Sequence, residues 1–315
     1  MEGRNAPLAR HSGNGTDTSS PQRGNRGWSE VAGLISVLPL RGVSSPTEMQ
    51  TSASPGRETL FNAWINQADE LAHEFRAARP FPLLVLDDFL DTSTAEQLLE
   101  EFPAPDAMPK SRDYVFGNKH ELSSVAEQGP TSRAFYDALM GEEFKQFIST
   151  LSGKDLFVDP DFHGGGFHQS GDGGFLDTHV DFNMHPLHPN WRRTLNVLLY
   201  LNKDWKPSYD GRLLIKASAD EEPRAIEPLF NRGLIMVTDD HTYHGFKKMS
   251  LPPGVTRKSI ATYAYELVPE GSMVARTTGW SPESAGPLKR VFARHYDAAV
   301  KVKTKLFGSA TAHNR

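Results

Sequence analysis

The sequence predicts a mainly β protein with flanking helices, an α+β chain whose core is a sandwich or jelly roll. Three observations predict it. From residue 156 to 267, short runs of β-type residues are divided by turn signals such as Pro207–Gly211, Asn231–Gly233 and Pro252-Pro253-Gly254. Before that region, apolar residues recur at helical rather than alternating spacing. After Gly271, a loop leads into a second helical pattern.

Taken in order, residues 1–56 are rich in Ser, Gly, Thr, Arg, Pro and Asn and are expected to be disordered. Their one apolar stretch, residues 31–40, follows some thirty others and lacks a small-x-small cleavage pattern, so it is not read as a secretion signal. Met49 is an alternative start. A helical part packed on the core is expected over 57–155. Leu60, Phe61, Trp64, Ile65, Ala68, Leu71, Ala72 and Phe75 form the apolar stripe of its first helix, which ends before Pro80. A strand follows over 81–89, then a helix to about Phe102 opened by a Ser93/Glu96 capping box. A further helix spans 132–151, with Phe135, Leu139, Phe144 and Phe147 on its apolar side. The β core, 156–268, has candidate strands over 156–159, 165–169, 176–182, 194–201, 212–216, 225–226, 233–238 and 257–267. Residues 269–315 are read as a loop and a basic helix over 287–306, its Lys and Arg face taken as solvated surface.

Composition narrows the chemistry. The chain has no cysteine, so disulfides, Cys-zinc sites, Fe–S clusters and thiol nucleophiles are excluded. A bound metal must use His, Asp, Glu or backbone oxygen, and the lack of thiols is compatible with a cytoplasmic location. A net charge of −5 gives no electrostatic reason to expect nucleic acid, and no apolar run is long enough to imply a membrane partner. Oligomeric state is not legible.

The chemistry-bearing residues lie between His179 and Ser259. The first is a His-x-Asp pair, His179 and Asp181, and such pairs are common: 12 His and 39 acidic residues in 315 positions predict roughly 1.5 by chance. The other pair, His295 and Asp297, lies in a helical pattern where residues i and i+2 point apart. His179 and Asp181 instead occupy an extended segment, 174–182, where they share a face. A jelly roll can bring a later strand to the same mouth, and His244, following the apolar strand 233–238, is favoured as a third ligand over His241. Two imidazoles and one carboxylate can hold Fe(II) on one face and leave positions open for a chelating co-substrate and O₂. On the last strand Arg257, Ser259, Ala261, Tyr263 and Tyr265 share a face, so Arg257 and Ser259 can converge on one carboxylate. On 194–202 the residues Thr194, Asn196, Leu198, Tyr200 and Asn202 share the polar face, and Leu195, Val197, Leu199 and Leu201 the core face. Asn196 and Tyr200 facing inward need hydrogen-bond partners, which a bound acid would provide.

With His179-x-Asp181, Tyr200-Leu-Asn-Lys-Asp-Trp205, Ile226-Glu-Pro228, Tyr243-His-Gly245 and Arg257-Lys-Ser259 in this order and spacing, the region 156–267 resembles the prolyl-4-hydroxylase-like Fe(II)/2-oxoglutarate-dependent dioxygenases. The resemblance implies a double-stranded β-helix core with His179, Asp181 and His244 as iron ligands. It implies that Arg257 binds the distal carboxylate of 2-oxoglutarate, with Tyr200 and Ser259 assisting and Asn196 among the co-substrate contacts. It further implies O₂ as oxidant, ascorbate as reductant, and hydroxylation of an unactivated C–H bond with release of succinate and CO₂. Asp181 favours hydroxylation, because halogenating relatives lack that carboxylate. Two departures stand out: Arg212 after Gly211, where many relatives have a second Gly, and Asn196, where several have Thr. The first is expected to touch the sheet rather than the ligands.

The substrate is a small molecule or a peptidyl group: a prolyl residue, a free amino acid, a natural product or a saccharide intermediate. A cupin-type metalloenzyme and a non-catalytic barrel binding protein are the competing classes. The first leaves Arg257, Ser259 and Tyr200 unexplained, and the second predicts a missing ligand. The Gly-rich segment 163–174 lacks Gly-Lys-Ser/Thr and is no P-loop; it is read as bulges or as a mobile lip presenting His168 or Gln169. His185 and His188 are read as loop or substrate-facing residues, and Trp191, Trp205 and Trp280 as packing.

Overall fold

The fold is seen in a computed structural model that describes residues 60–108, 110–282, 286–293, 295, 296 and 298. All of them belong to one compact unit. The expected N-terminal disorder, and most of the basic C-terminal helix, lie outside the described residues.

In chain order the helices are α1 (Ala68–Ala77), α2 (Thr92–Glu100), α3 (Pro130–Met140) and α4 (Glu142–Ser152). The strands are β1 (Leu83–Leu86), β2 (Lys110–Tyr114), β3 (Gly117–Leu122), β4 (Phe157–Val158), β5 (Gly166–Ser170), β6 (Phe175–Val180) and β7 (Trp191–Tyr200). They continue with β8 (Leu213–Lys216), β9 (Arg224–Ile226), β10 (Arg232–Val237), β11 (Tyr243–Phe246), β12 (Arg257–Leu267) and β13 (Gly279–Trp280). The antiparallel ladder runs β1-β10-β7-β12-β5-β3-β6-β11-β8-β9, with β2 on β3, β4 on β12 and β13 on β6. Sequence neighbours such as β5 and β6 are separated by other strands, as expected of the curled β-helix core.

Alternation along β7 divides the molecule. Leu195, Val197 and Leu199 pack outward with Ile235 and Ile260 against Phe75, Phe144, Phe147 and Leu151 of the helical layer. Leu198 and Tyr200 face inward with Leu213, Ile215, Leu234 and Met236. At about 25 cal/mol per Å² of apolar surface, each large side chain in the outer layer contributes roughly 1.5–3 kcal/mol.

Several expectations need correction. The first helix is broken: a 3₁₀ turn covers Ala63–Asn66 and α1 starts at Ala68, because Phe61 is held extended in a bridge to Leu90. The predicted helix over 132–151 is two helices, since Gly141 adopts an extended φ −72, ψ 157 between them. The Ser93/Glu96 box is not the cap of α2. Asp91 caps it, its carboxylate accepting from the Ser93 and Thr94 amides at 2.9 and 3.3 Å. The β2–β3 hairpin was not foreseen, because its polar residues carry no apolar alternation.

Candidate active site

His179 and His244 are cross-strand neighbours, paired in register between β6 and β11. Asp181 follows one residue beyond the end of β6. His179 Nε2 lies 3.5 Å from Asp181 Oδ1, and His244 Nε2 lies 3.7 Å from Asp181 Oδ2. Two donors each about 2.1 Å from one ion can be no more than about 4.2 Å apart, so these contacts fit a shared metal. The ligand atoms of all three residues lie within 4.8 Å of one another. Each imidazole is aimed by its own chain: Nδ1 of His179 donates to the Asp177 carbonyl at 2.9 Å, and Nδ1 of His244 to the Thr242 carbonyl at 3.0 Å. That tautomer leaves both Nε2 lone pairs facing Asp181. Burial, reinforced by neighbouring His179, lowers the His244 pKa to about 4, so the ring is neutral and able to bind metal at neutral pH. For Asp181, burial works against ionisation but is outweighed by His244, His179 and Arg193, which hold its pKa well below the usual carboxylate range. The donor set fits a divalent cation.

His241, the rival ligand, is exposed on the preceding turn, its amide bonded to the Asp239 carboxylate. His295 is exposed, and its partner Asp297 lies outside the described residues.

Arg257, Ser259, Tyr200 and Asn196 line the same cavity as His179, Asp181 and His244, a space of about 140 Å³. Arg257 is buried, its guanidinium 4.3 Å from the Phe246 ring centroid and 5.0 Å from that of Tyr200. Its Nε donates to the Gly211 carbonyl at 2.7 Å, which fixes the orientation of the fork. Gly211 thus touches the arginine directly, whereas Arg212 turns away to Asp210 and Glu227. Ser259 is in register with Tyr200 across β7 and β12. The Tyr200 hydroxyl is fully buried with no hydrogen-bond partner among the described residues, as is the Asn196 side-chain oxygen. Burial raises the Tyr200 pKa, with Arg257 opposing, so the hydroxyl stays protonated at neutral pH. Unpaired buried polar atoms in a cavity wall are what an absent acid would satisfy. Asn196 also donates to Asp181 at 3.3 Å, which ties it to the metal side.

The structure adds residues that strand alternation missed. Arg193 is 1% exposed, clamped between the rings of Phe182 and Tyr263 at 3.4 Å from each centroid, with Nη1 3.4 Å from Asp181 Oδ2. Simple alternation places Arg193 with Leu195 on the outer face. However, Tyr265 pairs with Arg193 while Ala264 pairs with Leu195, leaving Thr194 as an extra residue. That bulge reverses the phase of the strand and swings Arg193 inward. Thr194 therefore does not share the cavity, and its hydroxyl donates to Glu266 at 3.3 Å. Asn202 is likewise structural, bonded to the Pro228 and Lys258 carbonyls.

Trp280, read as simple packing, lines the cavity 4.8 Å from the His179 ring and stacks on Phe116. Trp191 and Trp205 do pack, against His188 and Tyr209 respectively. Of the Gly-rich segment's candidates, His168 faces the cavity, while Gln169 is buried elsewhere between Pro103 and Thr256. His185 lies in the loop after Asp181, as read, and is buried there with Nε2 3.5 Å from Asp159.

Residues 165–265 match the family model described as the 2OG-Fe(II) oxygenase superfamily. No curated protein matches the sequence. Among solved structures, similarity is found to a Pseudomonas putida prolyl-4-hydroxylase, at 17% identity over 64% of this chain and 100% of that one, with a TM-score of 0.48. A Trichoplax adhaerens prolyl hydroxylase, solved with a hypoxia inducible factor peptide fragment, shares 16% identity over 64% and 93% of the two chains, with a TM-score of 0.46. A Phytophthora capsici prolyl 4-hydroxylase shares 19% over 64% and 63%, also with a TM-score of 0.46. The matched stretch, residues 165–265, contains His179, Asp181 and His244 and is similar to the 2OG-Fe(II) oxygenase superfamily.

Proposed function

We propose that His179, Asp181 and His244 hold Fe(II), and that Arg257, Ser259 and Tyr200 hold the distal carboxylate of 2-oxoglutarate, so that the enzyme hydroxylates an unactivated C–H bond of a small-molecule or peptidyl substrate. The observation that carries this reading is the convergence of both sets on one cavity. Bound there, Fe(II) supplies the one-electron chemistry by which O₂ and 2-oxoglutarate give succinate, CO₂ and a hydroxylated product. Arg257 offers a paired fork to the carboxylate, its position fixed by Gly211 and by the Phe246 and Tyr200 rings. Tyr200 adds a neutral donor and Ser259 a hydroxyl. Asn196 spans the two groups, and Arg193 holds the Asp181 carboxylate in its ionised form. Phe182, Tyr263 and Trp280 exclude water from the reacting centre. Ascorbate is the expected reductant for keeping the iron ferrous, and a cytoplasmic location is consistent with a chain free of cysteine.

The test is anaerobic addition of Fe(II) and then 2-oxoglutarate. A weak visible charge-transfer band at roughly 500–530 nm is expected from chelation at such a site. Folded, iron-loaded protein that shows no band overturns the reading.

A further inference from the structure

β6 carries His179 and leads directly into Asp181, so whatever fixes this strand fixes two of the three residues assigned to the metal. On one flank it pairs with β11, His244 opposite His179. On the other flank β3 covers only its first part. Phe175 and Leu176 are in register with Asn118 and Gly117, and the Asp177 amide donates to the Phe116 carbonyl at 2.8 Å. From Thr178 onward that flank is taken by a strap, residues 274–281. The Ser281 amide donates to the Thr178 carbonyl at 2.8 Å, and Trp280 and Gly279 pair with His179 and Val180. The strap thus covers an edge that would otherwise stand open beside the metal ligands.

The strap is tied to both segments that carry those ligands. Asn183, two residues past Asp181, donates its side-chain amide to the Val274 carbonyl at 3.0 Å and accepts from the Arg276 amide at 2.7 Å. The Arg276 guanidinium then meets Asp240 at 2.6 Å, on the turn that leads to His244. Beyond the strap, Lys289 meets Asp177 at 2.6 Å. All of the strap lies outside residues 165–265, the stretch that the family model matches.

Its contribution to the cavity is Trp280. The His179 ring lies between the rings of His244, at 4.3 Å, and Trp280, at 4.8 Å and 34°. The Nδ1 bond to the Asp177 carbonyl sets where Nε2 points, but a ring held at one atom can still tilt about that bond. Contact with the indole limits that tilt. The indole is itself held, stacked on buried Phe116 at 4.7 Å and 9°, and Phe116 stacks on Phe292 at 5.8 Å and 10°. A segment that only covered surface would have no reason to set an indole against a ligand ring in the cavity wall.

We propose that the strap is part of the iron site: Trp280 is a positioning residue that acts through the His179 ring, and Asn183 is the tie that keeps Trp280 there. This rests on the assignment of His179, Asp181 and His244 to the metal.

The experiment uses the full chain and Co(II) alone, an ion that accepts the same donors. Binding is followed by the visible bands of the ion and by quenching of tryptophan emission, which a bound paramagnetic ion causes at short range. The chain has five Trp, so the quenching that Trp280→Phe removes belongs to Trp280. Trp280→Ala is expected to weaken Co(II) binding about tenfold or more, as outer partners of metal ligands do. Trp280→Phe keeps a flat face on His179 and should restore affinity to within about threefold of the parent. Asn183→Ala should lose about tenfold in affinity together with the quenching that belongs to Trp280. Denaturant midpoints of the metal-free proteins are measured alongside. A merely structural role would lower the midpoint and leave the Co(II) affinity of the folded protein unchanged, and that result overturns the proposal. Should Trp280→Ala not fold, Asn183→Ala decides, and a parent-like affinity there overturns the proposal. If the parent binds no Co(II), the metal assignment fails and the proposal falls with it.

Discussion

The two sides of the cavity are built in different ways. The co-substrate side comes from β12 and the second half of β7, long regular strands at the centre of the ladder, where inward residues recur every second position. The opposite side comes from β3, the segment before β5, and the short β13 that returns to pair with His179. One side reads as a periodic pattern, and the other is an assembly of pieces distant in sequence. The difference teaches that the wall proposed to hold 2-oxoglutarate rests on regular, locally encoded strand geometry, while the facing wall depends on how separate segments come together.

Four sets of measurements would break or sharpen this contrast, and the largest effects belong on the metal and co-substrate side. Asp181→Ala or His244→Ala should abolish succinate formation and tight Fe(II) binding, measured by turnover and metal content. His241→Ala should stay within about twofold of the parent, since its ring lies outside the cavity. Equal losses at 241 and 244 would reopen the ligand assignment. Next, Arg257→Met removes the buried fork, and truncating one partner of such a pair costs about 2–5 kcal/mol. The Michaelis constant for 2-oxoglutarate should therefore rise at least thirtyfold or so, read from initial rates. An unchanged constant would move the carboxylate site elsewhere.

Arg193→Met should have a smaller effect. Outer partners of ligand carboxylates typically contribute about 10–100-fold to metal affinity or activity. Fe(II) affinity is expected to fall by that order, with the Michaelis constant for 2-oxoglutarate little changed. If only the co-substrate constant moves, Arg193 belongs to the other side of the comparison. The smallest effect is a dependence of stability on pH in the metal-free protein. The unfolded His244 ring takes a proton near 6.5, whereas the folded ring resists until about 4. Between those values the unfolded chain holds the extra proton, so stability is full above about 6.5 and declines as pH falls towards 4. Denaturant midpoints across that range measure it, and His244→Gln should flatten the slope.

Much of the site is legible because ladder geometry turns spacing into direction. His179 and Asp181 share a face in an extended segment, and Arg257 and Ser259 share one on β12. Arg193 is not legible in this way. A single extra residue at Thr194 reverses the phase of β7, and nothing in Trp-Arg-Arg-Thr-Leu announces it. The β2–β3 hairpin escapes for another reason. Its sequence is too polar to show an apolar face, and Lys119 and Glu121 of β3 line the cavity instead of the core. Trp280 is illegible because its strand spans only Gly279–Trp280, too short for periodicity. Gly141 and Asp91 are failures of local punctuation, where several residues could break or cap a helix and tertiary packing selects one.

The sequence by itself determined the residue types, the two periodicities, the absence of thiol chemistry and the chain order of the motifs that resemble a dioxygenase. Those follow from local covalent geometry, which converts spacing into shared faces. The tertiary structure alone decided which histidine joins His179, which arginine supports Asp181, and that Lys119 and Glu121 look into the cavity. Those choices depend on register between strands far apart in the chain, and register is set by packing the whole sheet at once.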